Sequence, residues 1–214
     1  MKSESKKLLQ YHDLIAAIIE ALEARDSYTE CHSMRVADMS QAICRIMQIS
    51  EDETEVIHIA AHLHDIGKIG IDDAILRKTE KLNDEEWEII KSHSQIGYKI
   101  LNKVESFSEI SEIVLHHHEK WNGKGYPAGI SDYEIPLGSR VIAIADSIDA
   151  MMSNRVYRKS LTSQQCYEEI KKNIGIMYDP DIAEEVLIHW KEIVEIRDDF
   201  SLSNPGEMHS ACDF

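Results

Sequence analysis

The sequence predicts an all-α fold, a bundle of about seven to nine helices, and three observations carry that expectation. Apolar residues recur at helical spacing along nearly the whole chain, and no strand-like alternation stands out. Only 9 Gly and 4 Pro interrupt 214 residues, which leaves room for long helices. A hydrophobic fraction of 43% is enough to bury a sizeable core.

Each element follows from its own pattern. Leu14, Ile15, Ile18, Ile19 and Leu22 form the stripe of a first helix, and Val36, Met39, Ile43, Ile46 and Met47 that of a second. A third spans 53–66, with Val56, Ile59, Ala60 and Leu63 inward. Asn83 followed by Asp84, Glu85 and Glu86 reads as an N-cap with acids in the first turn, opening a helix that runs to about residue 93. Further helices are expected over 96–104 and 107–117. The chain then breaks over 121–138 before helices at 137–152 and 163–174. Asp179-Pro180-Asp181 starts the last one, which ends at about residue 195. The resulting organisation is a helical lead-in (1–22), one globular domain (23–195) and a tail (196–214) whose Ser, Asn, Pro and Gly predict disorder.

Composition excludes several function classes. With 23 basic against 39 acidic side chains, the net charge is −16, which argues against a DNA- or RNA-binding face. No apolar run is long enough for a membrane span, and residues 1–7 are too polar for a signal peptide, so a cytoplasmic location is expected. Cys31, Cys44, Cys166 and Cys212 are scattered without a CxxC pair and read as free thiols.

The chemistry lies in histidine and carboxylate. His64 and Asp65 point about 100° apart on a helix, and Lys68 lies one turn on, so the three can converge on one cavity. His32, His93, His117, His118 and Asp146 sit at the ends or inner faces of other helices. Imidazole and carboxylate suit Mn, Fe, Co, Ni or Zn, and the lack of cysteine argues against structural zinc. So many ligands exceed the need of one ion. They suit two divalent ions, with Asp65 as bridging ligand, that clamp a scissile phosphate and generate a hydroxide nucleophile. The remaining histidines (His12, His58, His62, His116, His189 and His209) read as surface or hydrogen-bonded groups. Trp87, Trp121 and Trp190 read as core or loop anchors.

The stretch His117-His118-Glu119-Lys120-Trp121-Asn122-Gly123-Lys124-Gly125-Tyr126-Pro127 matches HHExxxGxGYP without a mismatch. His64 to Gly70, Tyr28-Thr29, His32-Ser33, Ile75-Leu76, Asp146 to Ala150 and Tyr178-Asp179-Pro180 follow the same family pattern, in order. The chain therefore resembles the HD-GYP phosphodiesterases of the HD hydrolase superfamily, from about residue 23 to residue 190. The resemblance implies an HD-domain bundle with a Gly-Tyr-Pro loop over a metal centre. It implies hydrolysis of cyclic di-GMP to pGpG or GMP, with iron or manganese as the first metals to test. By position, His32, His64, Asp65, His93, His117, His118 and Asp146 match metal ligands, with Asp65 and Lys68 at the catalytic step. Lys68, Tyr126, Arg155 and Arg158 match substrate contacts. Glu119 and Asp149 are expected behind the ligands, with Glu119 orienting a ligand histidine.

Two departures matter. Tyr28 stands where some relatives carry a glutamate that supplies a third metal, which favours two ions, although Asp149 could assist a third. The family's Asp-Arg-Pro segment reads Asn154-Arg155-Val156. The rival expectations are hydrolysis of another cyclic dinucleotide, such as cyclic GMP-AMP, and an adaptor that binds the dinucleotide without consuming it. The first helix could pack on the domain or mediate a homodimer. Regulation is expected from a partner in trans, such as a diguanylate cyclase, or from a longer protein.

Overall fold

In a computed structural model, the structure describes residues 31–153 and 159–203 together with Ile15, Ile18 and Ile19. The described residues are all-helical apart from one isolated bridge between Ile174 and Tyr178. In chain order the α-helices are α1 (His32–Ile46), α2 (Glu51–Leu63), α3 (Asp73–Leu76), α4 (Asp84–Lys91) and α5 (His93–Leu101). They continue with α6 (Ser108–His116), α7 (Leu137–Met152), α8 (Ser163–Lys172), α9 (Pro180–Ile188) and α10 (Trp190–Ser203). Three short 3-10 turns, Ile66–Gly70, Glu105–Phe107 and Asp132–Glu134, join them.

The helix starts follow from local chemistry. Asn83 and Glu86 form a reciprocal capping box, so α4 begins at Asp84. Ser50 caps α2 above three acids that favour the positive end of the helix dipole. Asp179 accepts from Asp181 N (2.9 Å), with Pro180 in the first turn of α9.

Helices α1, α2, α6 and α7 pack around the core, with α10 laid along α1. Met39 and Ile43 of α1, Ile57 of α2, Val114 of α6 and Ile144 and Ile148 of α7 are fully buried there. Ile15 and Ile19 join the same core, whereas Ile18 is exposed. No helix among the described residues is long and apolar enough to cross a membrane.

Several boundaries differ from expectation, among them α5, which covers 93–101 where a helix over 96–104 was expected. Helix α2 stops at Leu63, and the chain tightens into the 3-10 turn that carries Lys68. The expected helix over 163–174 ends at Lys172. The expected last helix breaks at His189, and α10 then continues to Ser203, into the stretch expected to be disordered. Apolar periodicity continues across residue 189, so the pattern alone does not mark the break.

Candidate metal centre

Helix ends bring the ligands together. His32 opens α1, His93 opens α5, His64 and His117 follow directly on α2 and α6, and Asp146 projects from the middle of α7. Three of the imidazoles are held by one device. Nδ1 of His64 donates to the carbonyl of Ala61, that of His93 to Ile90 and that of His117 to Val114, each at 2.7 Å. The carbonyl three residues back lies at or near a helix end, and it fixes the tautomer. His32 uses a carboxylate instead, with Nδ1 at 2.7 Å from Asp149 Oδ2. In the three carbonyl-held rings, a neutral imidazole leaves its lone pair on Nε2.

Three Nε2 atoms, those of His32, His64 and His93, converge on Asp65. Its Oδ2 lies 3.4 Å from His64 Nε2 and 4.0 Å from His32 Nε2, whereas its Oδ1 lies 3.5 Å from His93 Nε2. His93 and His117 face each other with their Nε2 atoms 3.3 Å apart. Asp146 Oδ1 stands 3.4 Å from His32 Nε2. Two ligand groups result, His32–His64–Asp65 and His93–His117–His118, each with its ligand atoms within 4.8 Å of one another.

The donor set fits divalent metal. His64 is 1% exposed, and its Nε2 has no hydrogen-bond partner, a buried lone pair that only a cation or a donor would satisfy. Burial pushes His93 and His117 below the ordinary imidazole range. It also takes His118 down to about 3, helped by the neighbouring His93. These rings are therefore neutral, as a metal ligand must be. Burial opposes charge on Asp65, but Lys68, with Nζ 2.8 Å from Oδ2, and His64 outweigh it and keep the carboxyl well below its usual range. His32 behaves differently. Burial works against its proton, yet hydrogen bonds to Asp146 and Asp149 prevail and raise it to about 9.

The loop after α6 closes one side. The Tyr126 ring lies 4.8 Å from that of His118, and Lys91 Nζ sits 5.7 Å from the centre of the Tyr126 ring. Gly125 is required by space. A Cβ there would stand 2.3 Å from the backbone nitrogen of Lys120. Gly123 adopts φ +75°, which L side chains rarely reach.

One expectation is corrected: Glu119 does not orient a ligand histidine. Its carboxylate accepts the backbone N–H groups of Ala128 (2.7 Å) and Gly129 (3.0 Å), which pins the Gly-Tyr-Pro loop, and the nearest imidazole is that of His116 at 3.7 Å. Asp149 lies behind His32, and its oxygens meet His32, Arg35, Arg197 and Ser153. Tyr28, Arg155 and Arg158 lie outside the described residues. Sequence reasoning assigned no role to Lys91, Arg35 or Arg197. Arg35 follows His32 by one helical turn, a signal that could have found it, whereas Arg197 has no local cue.

A family model described as HD domain matches residues 14–182 of the chain. The chain belongs to the HD-domain family, in its HD-GYP branch. It is 38% identical over 98% of its length to a cyclic di-GMP phosphodiesterase of Thermotoga maritima, of which it spans 60%. It is 37% identical over 86% of its length to the 3'3'-cGAMP-specific phosphodiesterase 2 of Vibrio cholerae, of which it spans 36%. The HD-GYP chain thus spans only part of these relatives. Among solved structures, the fold resembles the cyclic GMP-AMP-specific phosphodiesterase V-cGAP3 of Vibrio cholerae. There the TM-score is 0.70 at 18% identity, over 89% of this chain and 51% of the other.

Proposed function

We propose that this chain is a metal-dependent phosphodiesterase that hydrolyses a phosphodiester bond of a cyclic dinucleotide, cyclic di-GMP first, to pGpG or GMP. One observation carries the reading: the two oxygens of Asp65 face two separate imidazole groups. A carboxylate so placed suits a pair of ions rather than one. Iron or manganese is the expected pair, and Ni, Co and Zn also suit the donors. When bound, such ions supply an activated water and neutralise charge on the phosphate.

The chain's own residues do the rest. Asp65 fixes the two ligand groups relative to each other. Lys68 is held by Asp65 and is close enough to the cavity to turn to a phosphate oxygen, where its charge would stabilise the pentavalent transition state. Tyr126 forms a wall beside His118, and Arg155 and Arg158 are proposed to hold the dinucleotide's phosphates. Glu119 keeps the loop backbone in place.

The test is chromatography of cyclic di-GMP incubated with protein purified without oxygen and supplied with iron or manganese. Product from wild type and none from folded Asp65→Ala is expected. Intact substrate from protein that holds its metals would overturn cyclic di-GMP as substrate. The same assay with cyclic GMP-AMP addresses the second reading, which rests on similarity to the cGAMP-specific relative. Binding of both nucleotides without turnover would leave an adaptor.

A further inference from the structure

Arg197 lies on α10, beyond the residues matched by the family model, yet it reaches the metal centre through one intermediate. It is 9% exposed. Its Nε donates to Asp149 Oδ1 at 3.1 Å, and its second terminal nitrogen donates to Ser153 Oγ at 3.0 Å. Asp149 is 1% exposed and is the residue that holds His32 Nδ1. Ser153 is the C-cap of α7, immediately before the segment that carries Arg155. Arg35 grips Asp149 from the other side, at 2.6 and 2.9 Å.

The bidentate fork of Arg35 sets the plane of the Asp149 carboxylate. Arg197 adds a tie of a different kind, from that carboxylate to the C-terminal end of the same helix at Ser153, and so anchors the carboxylate to α10. The geometry points to Arg197 as a positioning residue for the His32 side of the centre. The seating of α10 then sets how tightly the His32–His64–Asp65 group holds its ion. In the His93–His117–His118 group, the Nδ1 atoms of His93 and His117 are held instead by backbone carbonyls of their own segments. The inference rests on the proposed two-ion centre.

The experiment is a titration of the full chain, metal-free, with Mn²⁺ alone, for wild type, Arg197→Met and Arg197→Lys. Thermal melts and far-ultraviolet dichroism accompany each titration. Outer partners of ligand histidines change metal affinity by roughly 10–100-fold, and Arg197 acts one bond further out. One of two ions is therefore expected to bind about tenfold more weakly in folded Arg197→Met, with the other unchanged. Arg197→Lys, which keeps the charge but cannot span Asp149 and Ser153 together, should recover part of the loss. Unchanged affinity for both ions in a folded Arg197→Met, or equal weakening of both, overturns the inference while leaving the phosphodiesterase reading intact. If Arg197→Met does not fold, Arg197→Lys decides by the same criterion. A wild type that binds no divalent ion overturns both. Nucleotide turnover does not enter the test, so a failure of the substrate assignment is separable.

Discussion

At the residue scale, the centre sets two opposed proton equilibria, and their signs can be worked out for the metal-free chain. His93, His117 and His118 are pushed below the ordinary value of 6.5 by burial. The unfolded chain therefore binds more protons as pH drops below that value, and stability falls with it. His32 is raised from 6.5 to about 9, so its contribution is full below 6.5 and is lost as pH rises through about 9. The two limbs predict a stability maximum near 6.5 for metal-free protein, with a decline on both sides. A bound ion replaces the proton on His32 and should flatten the alkaline limb. Melting temperatures of metal-free and Mn²⁺-loaded protein, measured from about pH 5 to about pH 9, check this. An alkaline limb equally steep in both forms would contradict it.

At the element scale, the approach of the 3-10 turn to α5 positions the catalytic groups. A Cβ on Gly67 would stand 1.8 Å from the carbonyl oxygen of His93 and 2.6 Å from the nitrogen of Gly97, both backbone atoms that cannot swing aside. Gly67→Ala must push the turn carrying Lys68 away from the helix carrying His93. Overpacking of this kind costs about 1–3 kcal/mol or more, which for a chain of this size lowers the melting temperature by roughly 2–4 °C per kcal/mol. Because the displaced elements carry ligands, activity should fall further than that stability loss alone would cause. A variant that melts and turns over like wild type would refute the account. Helix starts were legible in the sequence because caps are local: Asn83 with Glu86, and Asp179 with Pro180, announce themselves within four residues. The breaks after Leu63 and at His189 were not, because each depends on what packs against the turn rather than on its own residues. The extension of α10 was hidden for the same reason. Its polar end is held by Arg197 contacts 44 and 48 positions away.

At the scale of the whole molecule, the candidate ligands stand out in the sequence because their chemistry is rare in a core. Six of the seven fall into two groups that could hold an ion. What surrounds them was legible only in part. Asp149 stands behind His32, where the family pattern implies it, whereas Glu119 turned to the loop because of three-dimensional packing that no spacing encodes. The same ligands arise from α1, the end of α2, α5, the end of α6 and α7, and four of these helices also build the hydrophobic core. Metal should therefore tie together a bundle that already has a core of its own. An ion at about 1,000 times its Kd adds about 4 kcal/mol, equivalent to roughly 8–16 °C at 2–4 °C per kcal/mol. Chelation is expected to lower the melting temperature by about that amount for each ion removed, while the far-ultraviolet helical signal at 25 °C persists. Calorimetry and dichroism on chelated and reloaded protein measure both. Collapse of the helical signal on chelation would show that the apolar core cannot hold the helices alone. An unchanged melting temperature after verified loss of the ions would show that the histidine groups do not bind metal in the folded state.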